Sequence, residues 1–397
     1  MIGGIIGDIV SSPYEFDRGG IVRMPVDVEK VAQDAINAII KKVKNLKTLN
    51  IIVVGKTGVG KSTLINAVFK DELAKTGIGK PVTKHMCKIT KKGLPLSIYD
   101  TRGFELGKEV QKQVKDEVMD IINKGLETQD INKKIHCIWY CINTASNRVE
   151  PEEIEWLKEL SKDTQIPIIV VLTQSFSDKN ADAMRKMLLD ENLDVRQVIP
   201  VLATDYEIDD EYTKKAHGLD KLIQIMGEVL PDELIDTLQN VQIASLADKK
   251  KRAQVAVAAA VTAAAGEGAV PIPFSDCVLL IPTQLNMIAS ITVIFGFDVN
   301  KSILRGFILS TIGTGGATVL GKTIVTNLIK LIPGAGSLVG GLISAATAGA
   351  LTAALGEAYI GIMSLVFNGE MSINDLESQK GKEKMAELFK KELKKSR

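Results

Sequence analysis

The stretch Leu49-Asn50-Ile51-Ile52-Val53-Val54-Gly55-Lys56-Thr57-Gly58-Val59-Gly60-Lys61-Ser62-Thr63 decides the fold. It passes from an aliphatic run that reads as a buried strand, through a turn of the form GxxxxGK[ST], into a run with helical periodicity. Glycines at this spacing let successive backbone N–H groups turn inward around phosphate oxygens, and the helix that follows adds its positive end. Lys56, Thr57, Gly58, Val59, Gly60, Lys61, Ser62 and Thr63 are therefore the expected contacts to a bound nucleotide. Lys61 is expected to neutralise the outer phosphates as a catalytic cation, and the Ser62 hydroxyl to ligate Mg²⁺.

Outward from this motif, residues from Leu49 to Asp232 alternate Val/Ile-rich runs with longer amphipathic stretches. The runs LNIIVVG, LPLSIYD, IHCIWYCIN, PIIVVLTQ and QVIPVLAT read as strands, and stretches such as KSTLINAVF and EPEEIEWLKELSKD as helices. The expected fold is α/β, a doubly wound, mostly parallel sheet, followed by an all-helical domain. After Pro231 the composition turns to Ala, Gly, Ile, Leu and Thr, which sets four expected segments. These are an N-terminal arm or helix over 1–47, a nucleotide domain over 48–235, an Ala/Gly-rich helical domain over 236–370 and a basic amphipathic tail helix over 371–397.

The second chemical signal is Asp100-Thr101-Arg102-Gly103, which closes LPLSIYD. An aspartate at the carboxyl end of a neighbouring strand faces the phosphate crevice and can hold Mg²⁺ through water, while Gly103 can offer its N–H to the γ-phosphate. Between the two motifs, the Gly-rich loop Thr76 to Thr83 places Thr83 where it either reaches the metal in the triphosphate state or serves as an ordinary loop residue. The expected metal set is Ser62, Thr83 and Asp100; the expected catalytic set is Lys61, Thr83 and Gly103.

These residues resemble a known family. GKTGVGKSTLINA, PVT and DTRGFE are similar to GTPases related to Era and, more distantly, to the immunity-related GTPases that pair such a domain with a helical one. AVPIPFSDCVLLIPTQLNMIASI and LIPGAGSLVGG resemble the helical domain of unknown function in YcjF-like bacterial proteins. The resemblance implies GTP and GDP as ligands, with Mg²⁺ as cofactor. It also implies a base-reading [NT]KxD motif after the fifth core strand, whose aspartate accepts from guanine N1 and N2.

At that place the chain reads Thr173-Gln174-Ser175-Phe176-Ser177-Asp178. The aspartate is missing at the expected step, and Asp178, two positions on, either substitutes through a bulge or caps the next helix. Thr173 and Gln174, with Ala203 and Thr204 of the loop Ala203-Thr204-Asp205, are the expected base contacts, and guanine over adenine rests on the resemblance. Where many GTPases carry a water-orienting Gln after DxxG, this chain has Phe104, so slow basal hydrolysis is expected; relatives of that kind often use a partner or second subunit, which brings in a homodimer. Arg102 and Lys56 either add charge in the transition state or are solvated.

The net charge of +1, from 49 basic and 48 acidic residues, gives no reason to expect nucleic acid as a partner. Four cysteines and three histidines show no zinc-binding spacing, and Cys137 and Cys141 read as core residues on one face of a strand. MIGGIIGDIV lacks a basic n-region, so a cytoplasmic chain, or one peripheral or integral on the cytosolic face of a membrane, is expected. Cys277 to Phe297 and Leu331 to Leu355 hold no charge and suit either a buried bundle or membrane association. The run Lys249-Lys250-Lys251-Arg252 reads as a solvated helix face or a lipid-headgroup contact, and the tail stripe Met385, Leu388, Phe389, Leu393 as a docked helix or a lipid or partner contact. MIGGIIGDIVSSPYEFDRGG resembles the opening of ADP-ribosylglycohydrolases, but their later aspartate cluster is missing, so that activity is not expected.

Overall fold

A computed structural model describes residues 28–69, 73, 86–91, 93–101, 108–146, 148–209, 211–267, 272–273, 281–297, 342–343 and 345–395. Its central sheet contains β1 (Leu49–Val54), β2 (Cys87–Thr90), β3 (Leu96–Asp100), β4 (Cys137–Asn143), β5 (Ile168–Thr173) and β6 (Gln197–Pro200), in the order β2-β3-β1-β4-β5-β6. All neighbours are parallel except β2, which pairs antiparallel with β3 at the edge. The sequence reading anticipated the five parallel strands and missed β2. That strand is short and mostly exposed, so it lacks the apolar run that marks a buried one.

Helices cover both faces. Ile51 and Val53 of β1 pack with α2 (Lys61–Val68), α6 (Leu219–Val229) and α7 (Asp232–Val241), through residues such as Leu64, Met226 and Leu238. Ile52 and Val54 face the other way, onto Val118 of α3 (Lys108–Leu126), Leu157 of α4 (Pro151–Asp163) and Leu188 of α5 (Asp178–Asp190). This two-sided burial is why the core strands read as continuous Val/Ile runs with no alternation. Cys137 and Cys141 are free and buried in the first of these clusters, as their spacing predicts.

The second region is helical: α8 (Leu246–Glu267), α9 (Ile281–Phe295), α10 (Ala345–Phe367) and α11 (Gln379–Lys395) share one core that includes Val257, Ile291, Tyr359 and Phe389. Its small residues have a steric use, since a Cβ on Gly356 of α10 would lie 2.5 Å from Cγ2 of Val257 in α8. In the tail stripe, Met385 and Phe389 are buried in this core and Leu388 and Leu393 pack against it, so α11 docks on the helical region. Of the two charge-free stretches, the first continues into α9, whose described residues are largely buried, and nearly half of the second lies outside the described residues. Ala348–Phe367 is long and apolar enough to cross a membrane, and half of that window is buried inside the protein.

The basic run is only in part the solvated face expected of it. Lys249 is fully buried and donates to the carbonyls of Gln239, Ile294 (2.9 Å) and Phe295 (3.2 Å), with its ammonium over the Phe367 ring. Arg252 pairs with Asp236, while Lys250 and Lys251 are exposed. Asn240 Nδ2 donates to the Val293 carbonyl at 2.6 Å, and Gly296, at φ +70°, passes so close to α7 that a Cβ would meet Asn240 O at 1.9 Å. Polar contacts to the ends of α7 and α9 thus join the two regions. Ahead of them, α1 (Val28–Asn45) packs along α9, with Lys42 Nζ donating to Ser290 Oγ at 2.6 Å. The segment resembling ADP-ribosylglycohydrolases lies outside the described residues.

His136 fixes the entry to the sheet. Its Nδ1 accepts from the Asn50 N–H at 3.0 Å, so the neutral ring carries its proton on Nε2 and donates to Ile131 O at 2.9 Å. Burial, outweighing both backbone contacts, pushes its pKa down to about 4. A histidine held below its unfolded value near 6.5 stabilises the fold above that pH, and this contribution is lost as pH falls through 4. The loss is on the order of 3 kcal/mol. The expected outcome in urea unfolding is that His136→Leu is less stable than the parent at pH 7 and that the difference closes by pH 4; a gap independent of pH would contradict the buried neutral ring.

Candidate nucleotide site

The Gly-rich turn leaves β1 at Val54 and enters α2 at Lys61. Gly55, Gly58 and Gly60 have φ of +153°, +75° and +95°, values that L side chains rarely adopt. Gly55 has a second reason: a Cβ there would sit 2.5 Å from the Cys141 carbonyl oxygen of β4, so the turn lies directly on the neighbouring strand. Gly60 is the N-cap of α2 and no side chain caps that helix, which leaves its start to the backbone alone. Lys61 is 8% exposed, and its Nζ folds back onto the carbonyls of Gly55 (2.8 Å) and Lys56 (3.1 Å). Burial lowers its pKa, and Asp100 opposes that shift. The ammonium is thus held in the mouth of its own loop by neutral acceptors that a phosphate oxygen can replace.

Asp100 ends β3 beside Val53 of β1 and is 4% exposed. Its Oδ1 is buried with no hydrogen-bond partner among the described residues. Burial raises its pKa to about 6, more than the Lys61 charge lowers it. A buried carboxylate with an unsatisfied oxygen, facing the charge of Lys61, supplies with the Ser62 hydroxyl of α2 hard-oxygen donors of the kind that suit a hydrated Mg²⁺. Cys141 is not a nucleophile here, because burial pushes its thiol up to about 12.

A second loop is tied to the first. Thr173, at the end of β5, donates from Oγ1 to the Val59 carbonyl at 2.5 Å and to Ile142 O at 3.1 Å. Gln174, left-handed at φ +53°, donates from Nε2 to Gly58 O at 2.9 Å. The structure therefore brings Thr173 and Gln174 to Gly58 and Val59. Ala203 and Thr204 follow β6 into the hairpin of β7 (Tyr206–Glu207) and β8 (Thr213–Lys214), Ala203 packed on the core and Thr204 exposed.

The expected roles of two residues meet other partners. Lys56, one third exposed, is not a free surface cation, since its Nζ pairs at 2.6 Å with Glu153, a buried residue of α4. Asp178 is not the cap of α5, which is Ser177, with its hydroxyl accepting from Asn180 N; Asp178 is the first helical residue and pairs with Lys214 at 2.6 Å. Thr83, Arg102, Gly103 and Phe104 lie outside the described residues. Sequence reasoning overlooked Glu153, whose side chain also closes a capping box with Glu150. The signal was present, because Glu150-Pro151-Glu152-Glu153 is an acidic helix start with Pro at its first position. It also overlooked the contact of Phe176 with Tyr206, which a sequence reading cannot see across 30 residues of chain.

Residues 50–174 match the family model described as 50S ribosome-binding GTPase, and residues 233–396 match a domain of unknown function (DUF697). Among curated proteins, the chain is 27% identical over 216 residues to Septin-12 of Homo sapiens, across 47% of this chain and 58% of that protein. It is 29% identical over 173 residues to Septin-9 of Rattus norvegicus, across 37% and 31%. The chain thus spans less than two thirds of the length of these relatives. Among solved structures, Era of Aquifex aeolicus bound to GDP and AlF₄⁻ aligns at 18% identity over 54% of this chain and 67% of that one, with a TM-score of 0.35. Toc33 of Arabidopsis thaliana aligns at 17% over 53% and 94%, with a TM-score of 0.33. The sheet region has the P-loop GTPase fold, and a C-terminal helical region follows it.

An aspartate that titrates near 6 folded and near 4 unfolded holds its proton more tightly in the native state. It therefore costs nothing below about pH 4, and its ionisation penalises the ligand-free fold increasingly up to about pH 6, by roughly 2–3 kcal/mol. Asp100→Asn is expected to gain up to about that much stability at pH 7.5, with the gain gone at pH 4. Denaturation at the two pH values checks the sign, and destabilisation at pH 7.5 would refute it.

Proposed function

We propose that the chain binds GTP with Mg²⁺ and hydrolyses it slowly, acting as a nucleotide switch whose state is passed to the helical region. The observation that carries this is the pairing of a phosphate-shaped loop, closed on its own Lys61, with the unsatisfied oxygen of Asp100 at the adjacent strand end. The matched GTPase family supports the same reading. In it, backbone N–H groups of Lys56 to Thr63 cradle the phosphates and Lys61 exchanges its two carbonyl acceptors for phosphate oxygens. Ser62, Asp100 and Thr83 would hold the metal, which would supply charge neutralisation to the phosphates. Lys56, anchored by Glu153, steadies the loop and is not a source of transition-state charge.

Gly103 is the proposed contact to the γ-phosphate, and α3 begins at Lys108, five positions later, so a local hydrogen bond can reposition a packed helix. The divisions 1–47, 48–235, 236–370 and 371–397 remain the proposed segments, with α7 packed under the sheet and bonded to α9 across the join. A second reading has one observation in its favour, the apolar helix Ala348–Phe367: nucleotide then licenses membrane association or self-assembly on the cytosolic side. Pelleting with liposomes that rises with a non-hydrolysable GTP analogue, and not with GDP, is its signature.

Lys61→Ala is expected to weaken GTP binding at least a hundredfold while the far-ultraviolet spectrum is retained. Single-turnover hydrolysis is expected on the order of 10⁻⁴–10⁻² per second, with Ser62→Ala losing far more than Phe104→Ala. Unchanged affinity in a folded Lys61→Ala protein would remove the assignment.

A further inference from the structure

We infer that Phe176 and Tyr206 hold the nucleotide's purine by stacking and that no carboxylate reads the edge of the base, so the site discriminates weakly among purine triphosphates; this rests on the nucleotide reading above. Thr173 and Gln174 are bonded to Val59 and Gly58, which fixes the loop they start against the phosphate cradle. The left-handed backbone of Gln174 then turns the chain sharply, with Phe176 N donating to Gln174 O at 2.8 Å and Ser175 buried and tied to Leu172 O and Val201 O. Phe176 therefore stands, half-buried, at the step where a base-reading aspartate is expected. Its ring centroid lies 4.1 Å from that of Tyr206, which is 44% exposed on the hairpin that follows the other base loop.

Two carboxylates beside these loops are ion-paired. Asp178 is held by Lys214 at 2.6 Å, and Asp205 by Lys215 at 2.8 Å and by the Ala216 N–H at 2.8 Å. Their donors keep both carboxyls below the usual range, Asp178 through Lys214 and Asp205 through Lys215. Reading guanine N1 and N2 requires a carboxylate with both oxygens free toward the base. What the site offers instead is an aromatic surface, and every purine has a π-face to lay on it.

The test is titration of the full chain, in Mg²⁺, with non-hydrolysable analogues of GTP, ATP and ITP. The expected affinities lie within about tenfold of one another. Phe176→Leu, which keeps an apolar side chain, is expected to weaken all three by a common factor of about five or more. Phe176→Asp is expected to create a preference for GTP over ATP. A wild-type preference for GTP above a hundredfold over both others overturns the proposal, and its loss in Asp178→Asn would make Asp178 the reader. Equal binding by wild type and Phe176→Leu overturns the stacking role. Failure of every triphosphate to bind the parent chain, by contrast, removes the nucleotide reading itself and this inference with it.

Discussion

Strand β1 has no exposed residue, and the rest of the molecule is arranged by the need to cover it on both faces. β1 is flanked by the parallel strands β3 and β4, with α2, α6 and α7 covering one face of the sheet and α3, α4 and α5 the other. All the ends that matter then emerge at one edge: the turn after Val54, Asp100 at the end of β3, Thr173 at the end of β5 and Ala203 after β6. The chemistry gathers there because the core allows the chain no other place to turn. The contact between Gly55 and the Cys141 carbonyl shows how tightly the two are linked, since one methyl group would lift the phosphate loop off the sheet.

This dependence explains what could be read from the sequence. The five parallel strands carry their burial in their composition, and the phosphate loop carries its backbone demands in Gly55, Gly58 and Gly60, so both were legible. β2 was not, because an exposed edge strand owes its existence to hydrogen bonds with β3 and leaves no apolar signature. Lys249 shows the opposite failure: a charge within a basic run reads as surface, and only the positions of three carbonyls from two other helices make its burial possible. The ion pairs of Lys56 and Asp178 were illegible for the same reason, since Glu153 and Lys214 reach them from distant parts of the chain.

The helical region follows a different logic. Its helices approach closely because Gly356 and the alanines of α8 and α10 leave room, and its few polar groups are paired internally, as where Thr292 Oγ1 meets the Tyr359 hydroxyl at 2.7 Å. Small residues of this kind pack equally well in water or lipid, which is why composition alone left both environments open. The buried tail stripe and the half-buried Ala348–Phe367 are features of packing inside the protein.

The join between the regions has a consequence for the order in which the chain matures. A ribosome releases α1 first, yet the helix it packs along begins at Ile281, and its Lys42 bonds to Ser290, 248 residues later. Asn240 and Lys249 likewise emerge before Val293, Ile294 and Phe295, the carbonyls that satisfy them. A nascent chain halted after α8 and before α9 thus presents a complete sheet with an amphipathic helix adrift at one end and, at the other, an ammonium still short of the Ile294 and Phe295 carbonyls, the kind of surface that chaperones hold.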